Sequence, residues 1–359
     1  MRAWVVKEAG KPLELMEFPL PELKGTEVLV RNLYAGVCHS DLHNWHNDFG
    51  LAKPPCTLGH EMEAECVAIG PDVLPGTISL GTRYLVHPWI GCGSAPSPCK
   101  MCSLGAEQCC ARGAPQSFCD GRTKYGGYAS HVVVPHPRYL IDVAAAGPLP
   151  EGLACVYMCS GLTVFGALKK IGEIPDGPQD LMIVGCGGLG LQAIQFAKYL
   201  FGAVPRAADV SPSARAAAEA MGCKVYDPSS KGCLRGIYHE TGGGFYAALD
   251  LVGSAQTNKF SLNATRRGGT VVTVGLFGGE VSYSLPDLAG SSKRIQGSLT
   301  GSLPEAHEML AAVKARAVEP IPYQIRHISE INQVFEELRE GKIVGRCIMR
   351  HDGVPRAEL

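Results

Sequence analysis

The chain has 359 residues, of which 46% are hydrophobic and 19% charged, and its formal net charge is −1. This length is enough for two domains, and the near-neutral charge gives no electrostatic footprint for nucleic acid or an anionic membrane. The segment from Met1 to Phe18 carries charges throughout, unlike a signal peptide, and no unbroken apolar run reaches the length of a membrane span. We therefore expect a cytoplasmic protein that has neither nucleic acid nor membrane as a partner.

The first part of the chain, up to about residue 150, has the pattern of a β-rich domain. Its β-prone segments are separated by glycine and proline. These segments are Ala3–Val6, Glu27–Asn32, Ala64–Ile69, Arg83–His87 and Ala129–Val134.

A dense group of cysteines lies between the last two of these segments. The chain has 15 cysteines in all, and in a reducing compartment that abundance indicates metal binding or catalysis before disulfides. Close-set thiolates joined by short loops suit tetrahedral zinc, which stabilises lobes too small to fold alone. The predicted ligands are Cys92, Cys99, Cys102 and Cys110. Cys109 is an alternative to Cys110.

A strand, a glycine-rich turn, a helix and a second strand then lead to Asp209. Leu181–Val184 is a short apolar run, typical of a strand buried on both faces. Gly185, Gly187 and Gly190 follow in G-x-G-x-x-G spacing. The first glycine permits a tight turn, the second lets the backbone approach a pyrophosphate, and the third allows close helix–strand packing. The helix N-terminus adds free N–H groups, so this stretch predicts a dinucleotide site.

Asp209 lies 19 residues after Gly190, where its carboxylate can accept hydrogen bonds from the adenosine ribose. The same carboxylate would repel a 2′-phosphate, which favours NAD over NADP. Arg206 and Arg215 lie nearby and leave NADP open. The predicted cofactor-binding set also includes Gly188, Leu189 and Val274.

The pattern of alternating helix and strand continues to about residue 295. A helix near Ala214–Met221 and strands at Ala247–Val252 and Thr270–Val274 predict a parallel sheet with helices on both faces. The fold class is therefore α/β, with a doubly wound parallel sheet beside a β-rich domain. We expect domains at 1–155 and 156–294, and a segment at 295–359 that returns to the first domain.

A second, sparse group of metal-binding residue types consists of Cys38, His60 and Cys159, with Glu61 beside the histidine. Spacing alone does not link residues so far apart in the chain. Considered one at a time, the two cysteines are typical of small buried apolar residues, and the histidine is typical of a structural histidine.

Several motifs in the right order resemble the zinc-dependent alcohol dehydrogenases of the medium-chain dehydrogenase/reductase family, over roughly residues 1 to 350. The segments that carry the resemblance are Gly36–His43, Gly59–Glu61, Cys92–Cys110, Cys159–Thr163 and Gly341–Arg346. The resemblance implies a GroES-like catalytic domain with a structural-zinc lobe and a Rossmann domain for NAD. Residues 95–98 lengthen the first gap of that lobe relative to the family pattern.

The resemblance also implies roles for single residues. Cys38, His60 and Cys159 would bind a catalytic zinc, with Glu61 as a nearby or transient ligand, and Asp41 would orient the histidine. Ser40 and His43 would form a proton relay. The cofactor pyrophosphate would lie against His39 and Arg346, and the nicotinamide against Thr163.

The implied reaction is hydride transfer between an alcohol and NAD, giving an aldehyde or ketone. Trp45, Phe49 and Trp89 either line an apolar pocket, which would favour aromatic or medium-chain primary alcohols, or belong to the core or an interface. The family resemblance implies a homo-oligomer, either a dimer or a tetramer. The alternatives are a reductase of an activated carbon–carbon double bond with the same fold, and a non-catalytic nucleotide-binding or zinc-scaffolded interaction protein.

Overall fold

The structure is a computed structural model that describes residues 1–48, 50, 53–115, 125–175 and 177–354, so Phe49 lies outside the described residues. The chain separates into two compact units. The first comprises residues 1–159, 302–315 and 322–359, and the second comprises residues 160–301 and 316–321. Most of the C-terminal segment thus belongs to the first unit, while the domain boundaries at 155 and 294 stay a prediction.

Strands dominate the first unit, and strands and helices alternate in the second. The strands are β1 (Arg2–Val5), β2 (Glu14–Glu17), β3 (Val28–Val37), β4 (Glu61–Ile69), β5 (Arg83–Val86), β6 (Trp89–Ile90), β7 (Ala114–Pro115), β8 (His131–Val134), β9 (Leu140–Asp142), β10 (Leu181–Val184), β11 (Arg206–Ala208), β12 (Val225–Tyr226), β13 (Phe245–Asp250), β14 (Thr265–Thr273), β15 (Arg294–Gly297), β16 (Tyr323–His327) and β17 (Arg346–Arg350). The α-helices are α1 (His39–His46), α2 (Lys100–Ser103), α3 (Ala154–Val156), α4 (Leu162–Ile171), α5 (Gly188–Phe201), α6 (Pro212–Ala220), α7 (Cys233–Thr241), α8 (Ala255–Ala264), α9 (Leu285–Ser291), α10 (Leu303–Lys314) and α11 (Ile331–Arg339).

The first unit is built on a seven-stranded sheet in the order β16-β17-β3-β4-β5-β9, with β8 also paired to β3. All pairs are antiparallel except β16 with β17. The central strand β3 is buried along nearly its whole length because neighbouring elements cover both of its faces. Its partner β4 begins at Glu61, directly opposite Gly36. This pairing sets the position of the residues just beyond the two strand ends.

The second unit contains a six-stranded parallel sheet in the order β12-β11-β10-β13-β14-β15. This order runs outward in both directions from β10, as in doubly wound dinucleotide-binding folds. Leu181–Val184 is fully buried, as expected for an apolar strand covered on both faces. The predicted α/β class with a doubly wound parallel sheet is confirmed.

A continuous helical stretch at Ala154–Ile171 is long and apolar enough, by length and composition alone, to cross a membrane. The sequence prediction missed it, because it looked for unbroken apolar runs and this helix carries polar residues and glycines. Within the protein, 89% of the stretch is buried, as for the core helix of a folded domain. Its middle turn, Tyr157–Gly161, is π-helical, a feature often found at functional sites.

Candidate active site

The end of β3 and the start of β4 bring two distant residues together. Cys38 follows β3 and is the N-cap of α1, and His60 directly precedes β4. Because Gly36 pairs with Glu61 across the sheet, the cysteine and the histidine come to lie side by side. Cys159 completes the group from the π-helical turn, and all three side chains are buried.

The side-chain donor atoms of this group converge on one point. The ligand atoms of Cys38, His60, Glu61 and Cys159 all lie within 4.8 Å of one another. The Sγ atoms of the two cysteines are 3.9 Å apart, and His60 Nε2 lies 3.2 Å from Cys159 Sγ. Two thiolates on one tetrahedral zinc lie roughly 3.8 Å apart. The donor set and its spacing therefore fit zinc.

Asp41 fixes the orientation of the group. Its Oδ1 lies 3.3 Å from His60 Nδ1 and accepts the Gly59 N–H at 3.1 Å. Its Oδ2 accepts the Cys38 N–H at 3.0 Å and the Tyr128 hydroxyl at 2.8 Å. Because an ionised carboxylate only accepts hydrogen bonds, Nδ1 carries a proton, and Nε2 is the nitrogen that would bind a metal in the neutral ring.

The electrostatics of the group favour a thiolate at Cys38. A hydrogen bond from Cys159 and the charge of His60 hold the pKa of the Cys38 thiol well below its usual range, although burial opposes this. Burial also opposes the charged form of His60, but the neighbouring Asp41 carboxylate raises the imidazole pKa well above its usual value. A buried thiolate stabilised in this way is a good ligand for a divalent cation.

Glu61, the fourth residue of the group, pairs with Arg346, the first residue of β17. Both side chains are buried, and burial raises the pKa of Glu61 to about 7 against the opposing effect of the arginine charge. Gly36 leaves room for this carboxylate, since a Cβ at that position would collide with the Glu61 side chain. The structure thus places Arg346 against Glu61, and its contact with a cofactor pyrophosphate stays a prediction.

The predicted relay residues lie on the first turns of α1. Ser40 Oγ donates to Cys38 Sγ at 3.2 Å and lies 3.4 Å from His60 Nε2. His43 Nδ1 lies 2.8 Å from an oxygen of Asp48. The His39 ring is 5.8 Å from the His43 ring, centroid to centroid.

Sequence reasoning missed two residues of this site, Asp48 and Tyr128. The hydroxyl of Tyr128 reaches Asp41 across 87 positions of sequence, and no spacing pattern marks such a contact. Asp48 follows His43 by five positions, and a helix cap rather than helical periodicity brings the two side chains together.

The dense cysteine group forms a second cluster. Cys92, Cys99, Cys102 and Cys110 bring their sulfur atoms within 4.8 Å of one another. Individual Sγ–Sγ distances are 3.7 Å for Cys92–Cys102, 3.7 Å for Cys99–Cys110 and 3.6 Å for Cys92–Cys110. This is the separation that one tetrahedral zinc imposes on its thiolates.

The surroundings of Cys92 complete this cluster in spite of the longer loop at residues 95–98. The Cys99 N–H donates to Cys92 Sγ at 3.2 Å, and a guanidinium nitrogen of Arg112 donates at 2.9 Å. The backbone hydrogen bond in particular lowers the Cys92 pKa to about 6. Cys109 is exposed and lies outside the cluster, which favours Cys110 over it as the fourth ligand.

In the second unit, the glycine turn has the backbone that the spacing predicts. Gly185 has φ +97°, a conformation that side chains rarely permit. Gly187 is the N-cap of α5 and has open space where a side chain would stand. A Cβ at Gly190 would collide with the carbonyl of Gly185, so only glycine lets this helix approach the strand end so closely. Gly188 and Leu189 form the first turn of α5.

Asp209 follows β11 and is tied to this turn. Its Oδ2 accepts the Cys186 N–H at 2.7 Å, and its Oδ1 accepts the Ser211 N–H at 2.8 Å. Arg215 donates to the carbonyl of Asp209 at 2.7 Å and faces Asp227 at 3.5 Å, while Arg206 faces Glu240 at 3.7 Å. Both arginines therefore have partners, which weakens the case for a 2′-phosphate site.

The remaining predicted residues fall in both units. Thr163 and Val274 belong to the second unit, where both are largely buried. Trp45 belongs to the first unit and is a core residue, since it packs edge-on against Phe335 and its Nε1 donates to the Lys11 carbonyl at 2.5 Å. Trp89 is partly exposed and stays a candidate pocket residue.

Comparisons with known proteins cover both units. Residues 24–145 match the alcohol dehydrogenase GroES-like domain family, and residues 188–315 match the zinc-binding dehydrogenase family. The chain is 33% identical to an NAD-dependent alcohol dehydrogenase of Sulfurisphaera tokodaii over 97% of its own length and 99% of the relative.

Two solved structures have the same fold over nearly their whole length. The alcohol dehydrogenase of Aeropyrum pernix has a TM-score of 0.84 and 28% identity, with 98% of this chain and 100% of that chain covered. The acetophenone reductase of Geotrichum candidum, solved with NAD, has a TM-score of 0.82 and 28% identity, with coverages of 97% and 96%.

Proposed function

Because the chain belongs to the zinc-dependent, NAD-dependent alcohol dehydrogenases of the medium-chain dehydrogenase/reductase family, we propose that Cys38, His60 and Cys159 hold its catalytic zinc. The reaction is oxidoreduction between alcohols and NAD, as the sequence predicted. The observation that carries the ligand assignment is the convergence of two sulfur atoms and one imidazole nitrogen from three separate segments. The structural zinc is assigned to Cys92, Cys99, Cys102 and Cys110.

The chain's own residues supply binding and proton transfer. When bound, zinc acts as a Lewis acid that makes the alcohol hydroxyl more acidic, and NAD accepts the hydride. Ser40 lies against the ligand cluster, where its hydroxyl can accept the substrate proton and release its own. His43 then receives a proton and returns it to solvent, since its side chain is 16% exposed.

The nucleotide binds to the second unit in this proposal. The backbone N–H groups at the start of α5 hold the pyrophosphate, and Asp209 accepts the ribose hydroxyls. Hydrogen bonds from Cys186 and Ser211 already orient that carboxylate. His39 and Arg346 stay predicted contacts of the pyrophosphate, Thr163 of the nicotinamide, and Val274 of the cofactor.

The proposed substrates are primary alcohols with an aromatic or medium-chain body. A solved relative at 28% identity is named an acetophenone reductase, which supports an aromatic body, and Trp89 stays a candidate pocket residue. The test is NADH formation with ethanol, hexanol, benzyl alcohol, cinnamyl alcohol, a secondary alcohol and a polyol. Faster turnover of benzyl and cinnamyl alcohols supports the assignment, and a preference for the polyol contradicts it.

The two rival functions make different predictions for the same preparation. A double-bond reductase needs no catalytic metal, and a zinc scaffold needs only one ion. Metal analysis of the purified protein should give two zinc ions per chain, one for each cluster. A single ion, retained after Cys38→Ser, would favour the scaffold.

We also assign the protein to a homo-oligomer joined through the edge of the parallel sheet. The edge strand β15 is exposed at every residue. Exposed apolar side chains lie in the same unit, with Phe277 at 68%, Leu285 at 75% and Ile295 at 36% exposure. An uncovered parallel edge with apolar neighbours is typical of a strand that pairs with a second copy.

A cytoplasmic location fits the cysteine chemistry. None of the 14 cysteines within the described residues forms a disulfide, and two groups of them are arranged for metal binding. Thiols persist in this state in a reducing compartment.

A further inference from the structure

The end of α1 carries an acidic residue whose placement helix stability does not explain. Asp48 lies just beyond the helix C-terminus, where the negative end of the helix dipole disfavours a carboxylate. The C-cap residue Asn47 adopts the left-handed conformation, with φ 59°, which asparagine tolerates better than most residues. This turn folds the chain back, so that the Asp48 N–H donates to the carbonyl of His43 at 2.9 Å.

The same turn brings the Asp48 side chain onto the His43 ring. Asp48 Oδ2 lies 2.8 Å from Nδ1, a distance typical of a charge-assisted hydrogen bond. An ionised carboxylate can only accept, so Nδ1 must carry the ring proton. In the neutral imidazole the other nitrogen, Nε2, is then unprotonated and has the lone pair that a base needs.

We propose that Asp48 is a positioning residue for proton transfer: its carboxylate fixes the Nδ1–H tautomer of His43 and stabilises the imidazolium that forms when Nε2 takes up the proton. This inference rests on the proposed relay role of His43. One N–H bond forms at Nε2 and breaks again when the proton passes to water, and the Nδ1–H bond to Asp48 persists throughout. The 49% exposure of the Asp48 side chain leaves water close to the ring.

The contact between Asp48 and His43 resembles the contact between Asp41 and His60 in the proposed catalytic-zinc group. Asp41 lies at Nδ1 of His60 while Nε2 of that ring faces Cys159 Sγ, and Asp48 lies at Nδ1 of His43 in the same way. The other titratable side chain with a described contact to the His43 ring is His39, 5.8 Å away between ring centroids.

The test compares Asp48→Asn, His43→Gln and the double variant by kcat/KM for alcohol oxidation across pH. Asparagine keeps the shape of the side chain but removes its charge. We expect Asp48→Asn to lower kcat/KM at neutral pH roughly threefold, the size typical of a partly exposed ion pair. In the His43→Gln background the second substitution should have no further effect.

The matched control is Glu14→Gln, which removes one carboxylate of an exposed ion pair with Lys7 and should leave the profile unchanged. An unchanged profile for Asp48→Asn, or an equal loss in both backgrounds, overturns the proposal. If His43→Gln keeps the wild-type rate and pH profile, the relay role and the positioning role both fail. That outcome differs from a failure of the zinc assignment, in which Cys38→Ser would keep its activity.

Discussion

At the residue scale, Asp41 joins more parts of the catalytic cluster than any other side chain described above. It contacts His60, the backbone of Cys38 and Gly59, and the hydroxyl of Tyr128. We expect Asp41→Asn to weaken zinc binding at the catalytic cluster roughly 10- to 100-fold, since the amide no longer fixes the histidine tautomer. Zinc retained after dialysis against graded chelator measures this loss, and Tyr128→Phe, which removes one of the contacts, should show a smaller one. Wild-type retention in Asp41→Asn would contradict the role.

Asp209 makes a testable contribution to cofactor choice. Its carboxylate is preoriented by two backbone N–H groups, and the nearby Arg215 donates to backbone carbonyls. Asp209→Gly removes the acceptor for the ribose hydroxyls and the charge that repels a 2′-phosphate. We expect kcat/KM to fall with NAD and the ratio of NADP to NAD activity to rise at least tenfold, about 1.4 kcal/mol. An unchanged ratio would show that the ribose is held elsewhere.

His351 makes stability depend on pH. It is buried, its Nε2 donates to the Gly127 carbonyl at 2.8 Å, and burial lowers its pKa to about 4. Because the folded state binds the proton less readily than the unfolded chain, the neutral ring stabilises the fold fully above about pH 6.5. This contribution, roughly 3 kcal/mol, is lost as the pH falls toward 4.

The measurement is the difference in Tm between the wild type and His351→Gln at each pH. Taking this difference removes the effect of zinc loss on Tm, which both proteins share. The difference should be largest above pH 6.5 and shrink toward pH 4. A difference that does not vary over this range would show that His351 does not carry the pH dependence.

At the element scale, the cysteine lobe distinguishes Cys110, the predicted fourth ligand, from Cys109, the alternative that the sequence left open. Cys110 lies in the cluster and is buried, whereas Cys109 is exposed outside it. We expect Cys110→Ser to lose one zinc per chain and to lower Tm by several degrees, because the metal holds a lobe with little core of its own. Cys109→Ser is the matched control and should keep both ions and the wild-type Tm. The reverse result would transfer the ligand role to Cys109.

The elements differ in how far local sequence predicts them. The strand–turn–helix at Leu181–Gly190 was predictable because apolar periodicity and glycine spacing are local signals, and β10 and α5 lie where they were expected. The group of Cys38, His60 and Cys159 was not predictable in this way, since pairing of β3 with β4 and a π-helical turn bring these three candidate ligands together. Only the resemblance to a family joined those ligands. The Asp48–His43 pair depends on one left-handed residue, Asn47, which sequence periodicity does not show.

At the scale of the whole molecule, the exposed edge of the parallel sheet predicts how copies assemble. Two β15 strands from different copies can extend both sheets into one if they pair across a two-fold axis. Ile295→Lys places a charge on this strand, where 36% of the residue is exposed, and charged edge strands resist pairing. We expect this variant to elute as a monomer of 38.1 kDa in light-scattering chromatography, while the wild type gives a multiple of that mass.

The control for this prediction is Leu74→Lys, which introduces the same charge at a residue of the first unit that is 74% exposed. It should keep the wild-type mass, because its exposed side chain lies outside the parallel sheet. Dissociation by both substitutions would indicate a general effect of charge, and dissociation by Leu74→Lys alone would move the interface to the first unit. Loss of the oligomer in Ile295→Lys, with both zinc ions retained, would show that assembly depends on the sheet edge and is separable from the metal sites.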